Sequence, residues 1–287
     1  EQQEARISAY GKIQSSLDGL KDAADALKSP KLFQSLSANV RGDEISATVD
    51  AEALPGSYRV EVSQLATSGT LASSRANDSS EALVLNDATQ LQLHFGLDGT
   101  SSSVAIDIAA DSSLEDLRDA INSHQDAGVS ASVIFDGVGH RLALSSSETG
   151  IEASIHSFGF LNASGDSVTV NTAEGSALTS GTAITGQNAA LKVNGIDITS
   201  DANRIEGAIQ GVTLNLDGLA IGAGETASST VTVERNTLKI REAVSDFVEA
   251  FNEMKGTIGT LTTYSGDRES AGELVGDSTV RTIEGRL

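Results

Sequence analysis

Between Ile240 and Leu261 apolar side chains recur at Ile240, Val244, Phe247, Phe251, Met254, Ile258 and Leu261, alternating steps of four and three over three heptads. Only an α-helix of 3.6 residues per turn lines such positions up along one side, and a stripe of that length has to be covered. The opposite end of the chain supplies a match. Tyr10, Ile13, Leu17, Leu20, Ala24 and Leu27 repeat the same steps, with Lys, Asp, Ser and Gln on the other faces. The two stripes most simply bury each other as an intrachain core, and a seam between subunits is the other use of the same positions. The chain then leaves along one helix and returns along another, and everything between rides on a helical stalk.

What lies between reads mostly as strands. Ser29-Pro30 stops or kinks the first helix, and Lys31 to Val40, with Leu32, Phe33, Leu36 and Val40 apolar, fits either a short helix or a loop under a core. From Glu44 the period becomes two: Ile45, Ala47 and Val49, a turn at Leu54-Pro55-Gly56, then Tyr58, Val60 and Val62, the pattern of a β-hairpin. Polar residues at 67–80 suggest a crossing between domains. Leu91, Leu93 and Phe95 turn at Asp98-Gly99 into Val104, Ile106 and Ile108. Ser112 and Glu115 form a capping box ahead of a helix with Leu114, Leu117 and Ile121 on one face. Val129, Ala131, Val133 and Phe135 alternate, Asp136-Gly137 turns, and Leu142 and Leu144 return.

Residues 151–186 read as strand-poor, with Ile151, Ile155, Val168 and Val170 the alternating signals. Asn194-Gly195 predicts a tight hairpin, followed by a one-turn helix over Ile205–Ile209 and strands at Val212–Leu216 and Thr230–Val233. Asp277-Ser278-Thr279 caps a last helix with Val280, Ile283 and Leu287, and the chain reads as a piece cut within helices at both ends. The expected class is α+β: a coiled-coil-like helical leg from both ends, with two mainly antiparallel β domains inserted. The leg takes 1–42 and 234–287, the first β head domain 43–72 and 184–233, and the second 73–183.

Charge and composition remove whole classes of function. Forty Asp and Glu against nineteen Lys and Arg leave −21, which repels nucleic-acid backbones and anionic membrane surfaces. No cysteine is present for disulfides, thiolate nucleophiles or thiolate-held metals. With 3% aromatic residues and no Trp, the cores are small and β-rich, unlike a deep catalytic cleft. His94, His124, His140 and His156 lack metal-ligand spacing, and nucleophile-elbow, P-loop and H-E-x-x-H motifs are missing. Gly222-Ala223-Gly224 lacks the third glycine of a dinucleotide fingerprint and reads as a loop. The pairs Asp43/Glu44 and Glu115/Asp116 read as solvated coat, and Asp98-Gly99 and Asp136-Gly137 lack the spacing of calcium loops. No catalytic, cofactor-binding or metal residue is assigned.

Four stretches together carry a resemblance. Gly56-Ser57-Tyr58-Arg59-Val60-Glu61-Val62-Ser63-Gln64-Leu65-Ala66 resembles the G-x-Y-x-V-x-V-x-Q-L-A segment of the flagellar hook-associated protein 2 (filament cap) family. Residues 104–147, with Ile121-Asn122, Gly128-Val129 and Leu142-x-Leu144-x-Ser146, are similar to the flagellin hook IN motif. Val193-Asn194-Gly195 through Asn203-x-Ile205 and Ile209-x-Gly211-Val212-Thr213-Leu214 resembles that family's C-terminal core. Leu274-x-Gly276-Asp277-Ser278-x-x-Arg281 resembles its L-x-G-D-S-x-x-R segment. The family's terminal coiled-coil segments are expected to be missing from this chain.

The resemblance implies a secreted, non-enzymatic protein at the flagellum tip, forming a homo-oligomeric ring that guides flagellin into place and prevents its loss. Implied partners are copies of itself, flagellin, hook-filament junction proteins and, through segments outside this chain, an export chaperone; no cofactor, nucleic acid or membrane is implied. The alternatives are a secreted adhesin or binding module that holds a host or matrix ligand with its β domains, and a secreted glycan-active enzyme using a carboxylate pair.

Overall fold

Pro30 decides where the first helix stops. In the computed structural model, which describes residues 2–218, 227–264 and 271–287, helix α1 (Gln2–Lys28) ends two residues ahead of it. Pro30 then opens a five-residue helix α2 (Pro30–Gln34), where its missing N–H has no partner to lose. Strand β1 (Leu36–Arg41) takes the rest of the stretch that periodicity left open. The chain forms two units, residues 1–37 with 233–287 and residues 38–232, each described by itself below.

In the larger unit β2 (Ile45–Val49) and β3 (Gly56–Gln64) are strands, but they do not form the expected hairpin. A three-stranded sheet pairs β2 with β15 (Val212–Leu216) from Ile45↔Leu216 to Val49↔Val212, and β15 in turn with β14 (Arg204–Ile209). Strand β3 lies in a second sheet of order β1-β16-β3-β12-β13, with β12 (Ala189–Val193), β13 (Ile196–Ser200) and β16 (Ala227–Arg235). Alternation fixes which face of a strand is buried; it does not choose the neighbour. Ile205–Ile209 is likewise strand and not helix, since two apolar residues four apart fit both periods. The Asn194-Gly195 hairpin forms as expected between β12 and β13, both residues at positive φ (49° and 84°), which a type I′ turn demands.

The other two sheets share one core. One has the order β11-β4-β8-β7, the other β10-β9-β5-β6, and every pairing in them is antiparallel. Their strands are β4 (Ser68–Ser73), β5 (Ala88–Phe95), β6 (Ser102–Asp107), β7 (Val129–Phe135), β8 (His140–Thr149), β9 (Ile155–Asn162), β10 (Ser167–Val168) and β11 (Ser180–Ile184). Helix α3 (Leu114–Ser123), packed chiefly against β7, buries Leu114, Leu117 and Ile121 in the core that also holds Leu91, Leu142 and Leu144. Two expectations shift here. The capping box is one residue later than expected: Ser113 caps α3 with Asp116, while Ser112 is buried and donates to the Ala109 carbonyl (2.7 Å). The stretch 151–186, expected to be strand-poor, holds β9, β10 and β11, with Phe158 and Phe160 in the core.

The helical unit returns through α4 (Thr237–Thr262), whose N-cap Asn236 accepts from the Lys239 N–H (3.0 Å). Helices α1 and α4 pack together, each roughly 40 Å long at 1.5 Å per residue. They run antiparallel: Ser16, midway along α1, meets Thr257 in the last turns of α4 (3.1 Å), and the Asn236 N–H at the start of α4 reaches the Ser35 carbonyl beyond α2 (2.9 Å). Asp277 caps α5 (Ser278–Glu284), as the sequence predicts.

Candidate assembly surfaces

The helical unit buries its apolar stripe unevenly. Ile13, Leu20, Met254, Ile258 and Leu261 are buried with Ala9, Leu274 and Val280, and Phe247 and Phe251 pack half-buried against them. Leu27 and Ile240 are half-buried, whereas Tyr10, Leu17 and Val244 are exposed. The cause is the number of neighbours. Around Met254–Leu261 the pair is thickened by α5 and by Leu274, whose N–H donates to the Leu261 carbonyl (2.9 Å). Two helices alone cover one stripe each and leave the flanks in water. A seven-residue step also drifts by about 20° per heptad on a straight helix, so Ala9, not Tyr10, takes the inward place.

Tyr10 is used through its hydroxyl instead. It donates to Asp277 Oδ2, which also accepts from Arg6 (3.2 Å), while Oδ1 accepts from the N–H groups of Thr279 (2.9 Å) and Val280 (3.3 Å). One carboxylate thereby caps α5 and ties it to α1. The Tyr10 hydrogen bond above all holds the Asp277 carboxyl below its ordinary pKa, and the same bond raises that of the Tyr10 phenol.

Apolar side chains reach water at several places on the β unit, two of them invisible to periodicity. At the β7–β8 turn, Phe135 (60% exposed) and Val138 (72%) project into solvent although the alternation of β7 puts Phe135 on the inward side, because the strand outruns the core. The turn beneath them is braced. Asp136 Oδ2 accepts from Arg75 (2.6 Å) and Arg141 (2.8 Å), Oδ1 from the N–H groups of Val138 (3.1 Å) and Gly139 (3.2 Å), and Phe135 leans on His140 with ring centres 5.1 Å apart. The Arg141 and Arg75 guanidiniums, in that order, hold the Asp136 carboxyl far below the carboxylate range. The second feature is a groove of about 330 Å³ lined by Leu54, Tyr58, Ile196, Ile198 and Ile209 among others, with no charged side chain in its lining.

Catalytic features do not gather. His140 Nδ1 donates to the Asn77 carbonyl (3.0 Å), His124 ends α3, and His94 and His156 flank Gly99. Among the described residues no cluster of His, Asp and Glu could hold a metal ion, and no helix is long and apolar enough to cross a membrane. Of the carboxylate pairs, Glu44 accepts from Ser229 (2.7 Å), Glu115 from Ser79 (2.7 Å), and Asp116 serves the α3 cap. Gly222-Ala223-Gly224 lies outside the described residues.

Models of the flagellar hook-associated protein 2 N-terminus, the flagellin hook IN motif and the flagellar hook-associated protein 2 C-terminus match residues 1–69, 92–148 and 186–287, in that order. The crystal structure of the D1-D2-D3 domains of the flagellar cap protein FliD from Escherichia coli superposes with a TM-score of 0.67 at 33% identity, over 98% of this chain and 75% of that one. The chain belongs to the flagellar hook-associated protein 2 family.

Flagellar hook-associated protein 2 of Escherichia coli K12 is 34% identical over 296 residues, 99% of this chain and 61% of that protein. The FliD (HAP2) crystal structure from Pseudomonas aeruginosa PAO1 gives a TM-score of 0.58 at 26% identity, covering 78% of this chain and all of that one. The chain thus spans about three-fifths of the length of the curated relatives it matches. The hook IN motif begins one strand earlier than expected, at β5. Geometry gives its Ile121-Asn122 pair a physical meaning: Ile121 is buried, and Asn122 accepts from the Ala131 N–H (2.8 Å) and donates to the Ala131 carbonyl (2.9 Å), occupying the outer edge of β7 as a neighbouring strand would. Asn203 serves Ala66 in the same two-point way (2.8 and 2.9 Å).

Proposed function

We propose that this chain is part of a non-enzymatic cap at the distal, extracellular end of the bacterial flagellar filament, where copies form a ring that promotes flagellin assembly and prevents subunit loss. The observation that carries the reading is family membership along essentially the whole chain, with three family models in order and likeness to a flagellar cap protein across 98% of its residues. Residues 1–42 and 234–287 serve as the leg, 43–72 with 184–233 as the first β head domain, and 73–183 as the second. The seam positions Tyr10, Ile13, Leu17, Leu20, Leu27, Ile240, Val244, Phe247, Phe251, Met254, Ile258 and Leu261 serve the leg as intrachain core or, where exposed, as subunit contact. Flagellin and the hook-filament junction proteins are its partners, with an export chaperone acting through segments beyond this chain. The adhesin alternative has no observation in its favour.

The test is complementation. In export-competent cells lacking their own cap protein, the full-length protein carrying this chain should restore filaments. Cells that stay bald while the protein is exported and folded would overturn the reading.

A further inference from the structure

We propose that Asn194 is the site at which this chain deamidates spontaneously, at a rate set by opening of its hairpin, and that the reaction writes a carboxylate into the uncharged groove beside it.

Of the twelve asparagines, Asn194 alone is followed by glycine. The reaction needs no partner but water. The Gly195 backbone nitrogen attacks the Asn194 Cγ, the bond from Cγ to the side-chain nitrogen breaks, and that nitrogen leaves as ammonia with the proton Gly195 gives up. The five-membered succinimide so formed is opened by water at one carbonyl or the other. One opening gives Asp; the other gives isoaspartate, with an extra methylene in the main chain.

The turn leaves both reacting atoms open. Asn194 and Gly195 are exposed, and the Gly195 N–H donates to no acceptor among the described residues. No heavy atom beyond its own chain neighbours lies within 4 Å of where a Cβ on Gly195 would sit, so nothing walls off the nucleophile. The Arg59 N–H donates to Asn194 Oδ1 (2.9 Å) and draws electrons from Cγ, while the side-chain nitrogen that has to leave is held by nothing among the described residues. A restraint comes from the same contact. The Asn194 N–H donates to the Arg59 carbonyl (2.9 Å), so side chain and backbone are both latched to β3, and attack waits for the turn to open.

The other two-point asparagines differ in the atom they use. Asn122 and Asn203 also donate through Nδ2, to the Ala131 and Ala66 carbonyls, and an acid there would set oxygen against oxygen. At Asn194 the Asp product still accepts from Arg59, so the fold does not resist it. Isoaspartate lengthens a two-residue turn and disturbs the Val193↔Ile196 register. Either product brings the first formal charge to a groove lined by Leu54, Tyr58, Ile196 and other uncharged residues.

The test is to age the purified protein in mildly alkaline buffer and map its peptides by mass spectrometry, with an isoaspartyl methyltransferase as the probe of the main-chain product. Asn194 should convert roughly tenfold or more faster than any other asparagine, and roughly tenfold faster again in urea, where the latch to Arg59 is gone. Asn194→Asp should melt with the parent, whereas the isoaspartate fraction, separated by charge, should be cut sooner by protease within β12–β13. Asn194→Gln, whose ring would need six members, should stay unconverted. Conversion at another asparagine first, a rate indifferent to urea, or a lowered melting midpoint in Asn194→Asp would each overturn the proposal.

Discussion

The two units keep their apolar side chains and their charge in opposite ways. The β unit closes its core completely around residues such as Leu91, Leu117 and Leu142, and carries twenty-five Asp and Glu against seven Lys and Arg. The helical unit has fifteen against twelve, and its seam fades from buried Met254 to exposed Val244 within three turns. Copies of the β unit therefore repel one another, while copies of the helical unit meet little electrostatic resistance. Strong negative charge thus sits on one unit and an incompletely buried helical seam on the other.

The largest effect that could break this contrast comes from the buried end of the seam. Met254→Asp places an unpaired carboxylate against Ile13, Ile258 and Leu261, a cost of about 4 kcal/mol or more. Helical circular dichroism should fall sharply while the β unit still melts near its parental temperature. Loss of both transitions together would show that the units do not hold separate cores.

Next in size, Leu117→Ala empties a fully buried site between α3 and the β sheets and should cost about 2–5 kcal/mol, lowering the β unit's midpoint and sparing the helical signal. The equivalent truncation at Leu17 in the exposed part of the seam should cost under about 1 kcal/mol in the isolated chain. Similar losses at the two sites, measured by denaturant titration, would erase the distinction between closed and open surfaces.

These elements differ in how far the sequence discloses them. Helix α4 is legible because a long stripe at steps of three and four admits one reading, and the β12–β13 hairpin because Asn194-Gly195 suits a turn most residues avoid. Partner choice is not legible. Ile45–Val49 and Gly56–Gln64 look like a hairpin, yet Gly211 occupies the space beside Ala53, and the Asp50 N–H donates to the Gly211 carbonyl (2.9 Å). A Cβ at Gly211 would sit 2.2 Å from the Ala53 nitrogen, and its φ of +69° suits glycine. Short segments mislead too, since Ile205 and Ile209 satisfy a helix or a bulged strand equally. The exposed Phe135 turn and the Leu54 groove escape altogether: Leu54, Ile196 and Ile209 meet only through folding, and Phe135 obeys its strand's alternation until the core ends beneath it.

A smaller effect sharpens the account of how α5 is held. In Asp277→Asn the cap survives, but the charge that Arg6 and Tyr10 address is gone. The folded carboxyl lies below its ordinary value of 3.8, so its contribution is fully present above that value and is lost as pH falls through the lower folded one. The stability gap between parent and variant should be widest near neutrality and shrink below about pH 4. A gap that grows on acidification would mean the folded state favours the protonated acid.

Salt gives the smallest effect and addresses the contrast most directly. Between ~10 mM and ~150 mM monovalent salt the screening length falls from roughly 30 Å to about 8 Å, so repulsion within the strongly acidic β unit is relieved while the nearly balanced helical unit changes little. Each 1 kcal/mol relieved should raise the melting temperature of a domain this size by about 2–4 °C. Asp136 with Arg75 and Arg141 opposes the gain only slightly, because that triad is hydrogen-bonded and partly shielded from ions. The β transition should therefore move up with salt and the helical one should not. Equal shifts in both would mean that the acidic residues of the β unit lie too far apart to feel one another, and its charge would then act between copies only.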